Sequence, residues 1–315
     1  MNQPPLLRPS IWVTCGAAAM VSIVIGGCRE TTSESVRSTS VNLERAAKIG
    51  RDGDGKITAI DFREREFDSA TIAALGKHAT IKVIKFNGES GGALTSDDMA
   101  VIGRLPRLKV LAIDGVSMND GQLNQLRNAS NLVEFYASNC QLDDDVHNVL
   151  GTMSSLRKLR LSNNPIADQT IGVIAASDSL TQLDLSGCPM LEDSMFATVS
   201  LPTTLTKLNL YDTSVSDQTV RTIADLPSLT WLNLDKTNIS DNAAKSLAGA
   251  KGIKWLHLGS TAIGDDAVND LVSIRSLETL IVTRTHMTQQ GVDILRQRLP
   301  EVDIQFQYKG QSSDG

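Results

Sequence analysis

The chain has 315 residues, 41% of them hydrophobic and 21% charged, with a formal net charge of −6. These are globular values, and they exclude the strong basicity of a nucleic-acid binder. Aromatic residues make up only 4% of the chain, so its core must be built from Leu, Ile and Val.

Arg8 and the amino terminus give a weakly positive start, and Ile11 to Ile25 form an uncharged apolar run. Its length suits the apolar region of a secretion signal and falls short of the ~20 residues that a spanning helix needs. Ile25, Gly26, Gly27 and Cys28 follow. That quartet resembles the lipobox of bacterial lipoproteins. The resemblance implies that residues 1–27 are a signal peptide, that cleavage leaves Cys28 at the N-terminus, and that Cys28 carries more than one acyl chain. A single chain would give only marginal membrane binding. Arg29 is not the Asp that retains some lipoproteins at an inner membrane, so the resemblance favours the outer one. Ordinary cleavage and an uncleaved anchor stay open as alternatives. Residues 28–40 are rich in Ser and Thr with a single large apolar residue, Val36. Such a segment cannot offset its ordering entropy by burial, so it reads as a flexible tether with a reach of ~20 Å.

Residues 41–56 are expected to cap the fold. Residues 41–49 (VNLERAAKI) have the spacing of a short amphipathic helix, and residues 51–57 (RDGDGKI) resemble half of a calcium loop. Aligning Gly55 with the loop's invariant glycine puts Gly50 where the first Asp should stand, so the segment reads as a Gly-rich turn and no metal is assigned.

From residue 57 to residue 300 one sentence repeats. Its first apolar slot holds Ile57, Ile81, Leu108, Leu132, Leu156, Leu180, Leu205, Leu229, Ile253 and Leu277. The spacing is 24 residues, except for 27 after Ile81 and 25 after Leu180. A fixed period of this size means a solenoid, and the alternating L-x-x-L-x-L portion reads as a short parallel strand with leucines inward. The extra residues near Gly88 to Ala93 and Gly187 to Met190 fall where strand turns to loop, so they should bulge outward. Slot nine holds Cys140, Asn164, Cys188, Thr213, Thr237, Thr261 and Thr285, small polar groups suited to backbone left unpaired at a turn. Four residues on, Asp120, Asp144, Asp168, Asp193, Asp217, Asp241 and Asp265 suit helix starts. An apolar slot farther on, holding Leu75, Leu126, Leu150, Ile174, Ile223, Leu247, Leu271 and Leu295, packs a convex helix onto the strand. Val302 to Phe306 alternates like a closing strand, so residues 301–315 read as a C-terminal cap and tail.

The L-x-x-L-x-L-x-x-[NCT]-x-[IL] core identifies an α/β leucine-rich repeat horseshoe of about ten repeats, with strands on the concave face and helices on the convex face. Spacing and the Thr-x-Ile-Ser/Thr-Asp phrase resemble the leucine-rich repeat lipoproteins of bacteria, and also the repeats of eukaryotic F-box proteins. No F-box helices precede the repeats, and a lipobox is the wrong neighbour for one.

Chemistry is sparse. Cys140 and Cys188 lie two repeats apart, roughly 10 Å at the ~4.8 Å strand spacing, beyond disulfide reach. No metal-site spacing or nucleophile elbow occurs, and no cofactor is implied. A trio of His257, Asp235 and Ser260 is brought together by repeat position and is the one catalytic alternative to surface polarity. The concave face is more telling. Slots three, five and seven should face outward, which puts Trp231 and Trp255 side by side. Tyr211, Asn209, Asn233, Asp235 and His257 surround them. Aromatic rings beside amides and a carboxylate suit a protein hot spot or a sugar. The alternative is that the tryptophans only shield the sheet. Arg157, Lys158, Arg160 and Lys207 form a second, basic cluster that reads as a solvated face. These readings predict a monomeric, non-enzymatic, lipid-anchored binding protein of the bacterial cell envelope, on its periplasmic or outer-membrane face. Its ligand would be a protein or glycan, with no nucleic acid. A structural spacer without a ligand is the alternative.

Overall fold

Each repeat turns its alternation into one short strand, because two leucines bury on one side while the residues flanking them face the other way. In the computed structural model, which describes residues 43–88 and 93–306, these strands form one twelve-stranded sheet in sequence order. The expected secretion signal, Cys28, the expected tether, the tip of the first insertion and the tail after Phe306 lie outside the described residues. The strands are β1 (Lys48–Arg51), β2 (Ile57–Asp61), β3 (Val83–Asn87), β4 (Val110–Asp114), β5 (Glu134–Tyr136) and β6 (Lys158–Arg160). They continue as β7 (Gln182–Asp184), β8 (Lys207–Asn209), β9 (Trp231–Asn233), β10 (Trp255–His257), β11 (Thr279–Ile281) and β12 (Asp303–Gln305). β2 to β11 are the ten repeats. All neighbours pair in parallel except β1 with β2.

That exception corrects the expected helix over residues 41–49. Only Leu43–Ala46 is helical, and Lys48–Arg51 turns back as an antiparallel strand on β2. The reversal is local chemistry: Asp52 Oδ1 accepts from the N–H of Asp54 and Lys56, and Gly55 takes φ of 76°. A tight turn of this kind makes a hairpin cheaper than a longer helix. At the other end β12 pairs with β11, and Gln305 C=O accepts from Val282 N–H.

Slot eight contains a constraint that the leucines do not reveal. Gly115, Asn139, Asn163, Gly187, Asp212, Lys236, Ser260 and Arg284 all have positive φ, between 51° and 74°. This left-handed residue lets the chain leave the sheet without breaking the ladder. Each slot-eight N–H from Gly115 to Ser260 donates to the slot-seven C=O of the next repeat at 2.7–3.0 Å. Side chains other than Gly, Asn or Asp there cost about 1–2 kcal/mol each, a strain that the ladder must outweigh.

Slot nine then seals the interior. Thr213, Thr237, Thr261 and Thr285 each donate Oγ1–H to the backbone C=O three residues earlier, at 2.6–2.9 Å. Asn164, fully buried, does more. Its Nδ2 donates to Ala137, Leu161 and Ser162 carbonyls, and its Oδ1 accepts from Cys140 and Leu142 N–H. The aspartates four residues on stand at the first helical position of their own repeat, yet the side chains of Asp144, Asp193, Asp217, Asp241 and Asp265 reach forward. Asp193 accepts from Ser216 and Thr219, Asp217 from Ser240, Asp241 from Gly264 and Asp265 from Thr288. Asp144 accepts from Ala167, Gln169 and Thr170, each at 2.9 Å. Every one of these fixes the start of the next repeat's helix, so the column is a set of staples between repeats.

At the second insertion Met190 is 55% exposed, while Cys188 and Leu191 on either side remain fully buried. The bulge therefore leaves the core register intact. Among the described residues no helix is long and apolar enough to cross a membrane.

Candidate functional site

β9 and β10 place Trp231 and Trp255 in direct register. Their rings stack with centroids 4.3 Å apart and planes 6° from parallel. The His257 ring meets Trp255 edge-on at 5.7 Å and 80°. Both indoles are half-buried, so the pair presents rigid apolar area at low entropic cost.

The amides around them are partly committed to the backbone. Asn209 Oδ1 accepts from Tyr211 N–H at 3.2 Å, and Asn233 Oδ1 accepts from Asp235 N–H at 3.0 Å. Asp184 caps Ser186 in the same way. An acceptor at slot five thus closes a small turn at slot seven. His257, at the same slot, has no side-chain oxygen to do this. Tyr211 lies farther along, with Lys236 Nζ over its ring at 4.9 Å.

Slot seven does not face outward throughout, which corrects the sequence expectation. Asp235 is only 5% exposed and Thr283 7%. Asp235 Oδ2 lies 3.8 Å from His257 Nε2, too far for a hydrogen bond, and Asp235 Oδ1 is buried without a partner. Burial pushes the His257 imidazole below its ordinary range and Arg284 acts the same way, outweighing the opposite pull of Asp235. Ser260 Oγ is also buried and partnerless. Ser260 lines a separate hollow with Asn238, Arg284 and His286, so the three residues do not assemble a nucleophile and base. His257 and Asp235 come together; Ser260 stands apart.

On the other side of Trp231 a hollow of about 310 Å³ opens on the concave face, lined by Tyr136, Lys158, Arg160, Gln182, Asp184, Lys207, Asn209 and Trp231. The tryptophan and basic clusters, separate in sequence, are therefore one surface. Much of its charge is already matched. Lys158 pairs with Glu134 at 2.8 Å, and Arg160 pairs with Asp114 at 2.5 Å while lying over the Tyr136 ring at 4.9 Å. Burial, with Glu134 assisting, raises the Tyr136 hydroxyl to about 12, so it is a neutral donor. Lys207 is exposed and in register with Trp231. Arg157, at slot two, does not line the hollow. Sequence reasoning missed Tyr136, Gln182 and Asp184 as site residues, although the slot-three and slot-five columns contain them.

Elsewhere, Cys140 and Cys188 are buried free thiols, raised by burial to about 12 and about 11. Thiols so protonated are poor nucleophiles. Asp120, Asp143 and Asp145 bring carboxylate oxygens within 4.8 Å of one another, but all three are exposed. Desolvation first, then the neighbouring carboxylates, raises Asp120 above its ordinary range.

No protein-family model matches the chain, and no curated protein matches it in sequence. Among solved structures the chain is similar to an internalin (inlF) of Listeria monocytogenes strain 4b F2365, with a TM-score of 0.57 and 20% identity. The match spans 76% of this chain and 71% of that one. At that identity the likeness speaks to architecture alone, and with the sheet described above it shows an α/β leucine-rich repeat solenoid of about ten repeats.

Proposed function

We propose that this chain is a binding protein whose concave face takes a protein or glycan ligand at the Trp231–Trp255 pair. The observation that carries the reading is the stacked pair itself, opening on one side to the hollow that holds Lys207, Asn209 and Gln182. Rigid aromatic area beside amide and ammonium donors is the composition of an interface hot spot, and an indole face also takes a sugar ring. Trp255, His257 and Asn233 extend the surface along β9 and β10, and Tyr211 adds to it just after β8. Ser260 engages neither Asp235 nor His257, which counts against the one catalytic alternative and supports a binding role. The lipobox at Ile25 to Cys28 supports an anchor through acylated Cys28, as in bacterial leucine-rich repeat lipoproteins with 24-residue repeats, and hence a place in the cell envelope.

Residues 41–315 form a unit of their own and can be used for the test. Immobilised, this body should capture a ligand from envelope extracts, and Trp231→Ala with Trp255→Ala should weaken capture at least ~10-fold, as hot-spot truncation does. Undiminished capture would remove the site. Fatty-acid label should enter the full chain and be lost in Cys28→Ser; label that persists would remove the anchor.

A further inference from the structure

Trp255 covers only one ring face of Trp231, because the two indoles stack nearly parallel across neighbouring strands. The other face turns toward β8, where Trp231 walls the hollow of about 310 Å³. That volume lies at the lower end of the ~300–1,000 Å³ range of small-molecule sites and suits a small ring with its substituents. Two rows of polar side chains lie beside the ring. Slot three puts Lys158, Gln182 and Lys207 in register on β6, β7 and β8, with Trp231 next on β9. Slot five puts Arg160, Asp184 and Asn209 in register on β6 to β8. The rows are two residues apart along the strands, or ~7 Å. Much of their polarity is unspent. Among the described residues the Lys207 ammonium and the Gln182 amide have no hydrogen-bond or ion-pair partner. Arg160 Nε is buried without one. Asp184 uses Oδ1 on Ser186 and keeps Oδ2, and Asn209 uses Oδ1 on Tyr211 and keeps its Nδ2 donors.

We propose that this hollow takes an acidic sugar, a pyranose laid on the open face of Trp231 with its carboxylate on Lys207. The inference rests on the concave-face reading and chooses glycan over protein as the ligand. Lys207 is the neighbour of Trp231 in register, so a carboxylate carried by a ring on that indole meets the ammonium directly. Gln182, next in the slot-three row, donates to the same carboxylate, and Lys158 beyond it adds charge although Glu134 already pairs with it. The slot-five row answers the rest of the ring. Asp184 Oδ2 can only accept and Asn209 Nδ2 can only donate, whereas a sugar hydroxyl does both. Asp184 is the one carboxylate lining the hollow, and its place in the slot-five row keeps it away from the carboxylate of the sugar. An aspartate or glutamate side chain of a protein ligand would satisfy Lys207 but bring no donor for Asp184. The broad, rigid indole face matches the apolar face of a pyranose.

The test uses the 41–315 body, whose only tryptophans are Trp231 and Trp255. Trimers of galacturonate and of glucuronate are titrated while indole fluorescence and binding heat are followed. Their methyl esters serve as uncharged counterparts, and triglutamate as an anion without a sugar ring. At least one uronate should bind saturably, with a constant in the millimolar range or tighter. Its ester should bind at least ~5-fold more weakly, and added salt should narrow that difference. Lys207→Gln, a change at an exposed side chain that should keep the fold, should bring the acid down to the level of the ester. Trp231→Ala should weaken the acid at least ~10-fold, as removal of a central aromatic does. No saturable binding of either uronate, an ester as tight as its acid, an unchanged constant in Lys207→Gln, or triglutamate binding as tightly as the uronates overturns the proposal. Ligand capture that the tryptophan variants lose, in a protein that binds no uronate, leaves the concave-face reading standing alone. Uronate binding that needs Trp231, with capture undiminished in the tryptophan variants, does the reverse.

Discussion

The middle of the concave face and its stretch at β9 and β10 share one leucine frame and finish in opposite electrostatic conditions. At β5 and β6, Lys158 meets Glu134, Arg160 meets Asp114, and Asn164 beneath them satisfies five backbone groups. At β9 and β10, Asp235 Oδ1 and Ser260 Oγ are buried with no partner, and His257 stops 3.8 Å short of Asp235. A repeat imposes shape, and it does so equally in both places. Capacity to bind lies where polar groups have hydrogen-bonding capacity left over.

The contrast can be broken most severely at Asn164. Asn164→Ala leaves the Cys140 and Leu142 N–H groups and the Ala137 C=O short of a partner, while Ser162 C=O keeps the Asn139 N–H and Leu161 C=O keeps the Cys188 thiol, and urea unfolding should show a loss of at least about 3 kcal/mol. A loss under 1 kcal/mol would mean that water takes over the role of the side chain. Asp235→Asn should go the other way. It removes a buried carboxylate that lacks its complement, and stability should hold or rise by about 1 kcal/mol. Destabilisation there would show Asp235 to be as structural as Asn164, and the two regions would no longer differ. Smaller again is Glu134→Gln, which breaks a part-exposed ion pair and should shift stability by no more than ~1 kcal/mol. A larger effect would give the middle of the face a stabilising role beyond charge matching. The pH dependence is the finest measure. The folded His257 has a pKa below its unfolded value near 6.5, so the unfolded chain takes up a proton that the folded chain refuses. Stability should therefore fall as pH drops from about 6.5 toward the depressed folded value and then level off. Comparing melting between pH 7.5 and 5.5, His257→Gln should lose less than the parent; equal losses would mean His257 is not held neutral.

How much of this was legible in the chain follows from what each column must satisfy. The leucine slots answer to burial, which depends on period alone, so the solenoid and the Trp231–Trp255 adjacency could be read directly. The small polar slot nine could be read because an unpaired turn needs a short side chain. Slot eight was harder. Its left-handed backbone is signalled by Gly115, Asn139, Asn163, Gly187 and Asp212, then masked by Lys236, Ser260 and Arg284, which hold the same φ under strain. The outward assignment of slot seven failed at Asp235 because its exposure depends on neighbours 24 and 48 residues later, Gly259 and Thr283. Lys48 and Ile49 read as the end of a helix because the apolar spacing over residues 41–49 fits one, while the Asp52 turn that reverses the chain depends on backbone geometry.

The forward reach of the aspartates gives the solenoid a polarity under load. Detaching the last repeat from the one before it strips Asp265 of Thr288, which leaves a carboxylate free to hydrate. Peeling from the other end instead takes Asp144 away from Ala167, Gln169 and Thr170, and bares three amides at the start of a helix that must persist. Water solvates the first remnant readily; the second is a helix without its cap, a loss of about 1 kcal/mol at each junction that Asp144, Asp193, Asp217, Asp241 or Asp265 staples. Pulled by its two ends, the stapled stretch from Asp144 to Thr288 should unravel from its C-terminal side, repeat by repeat.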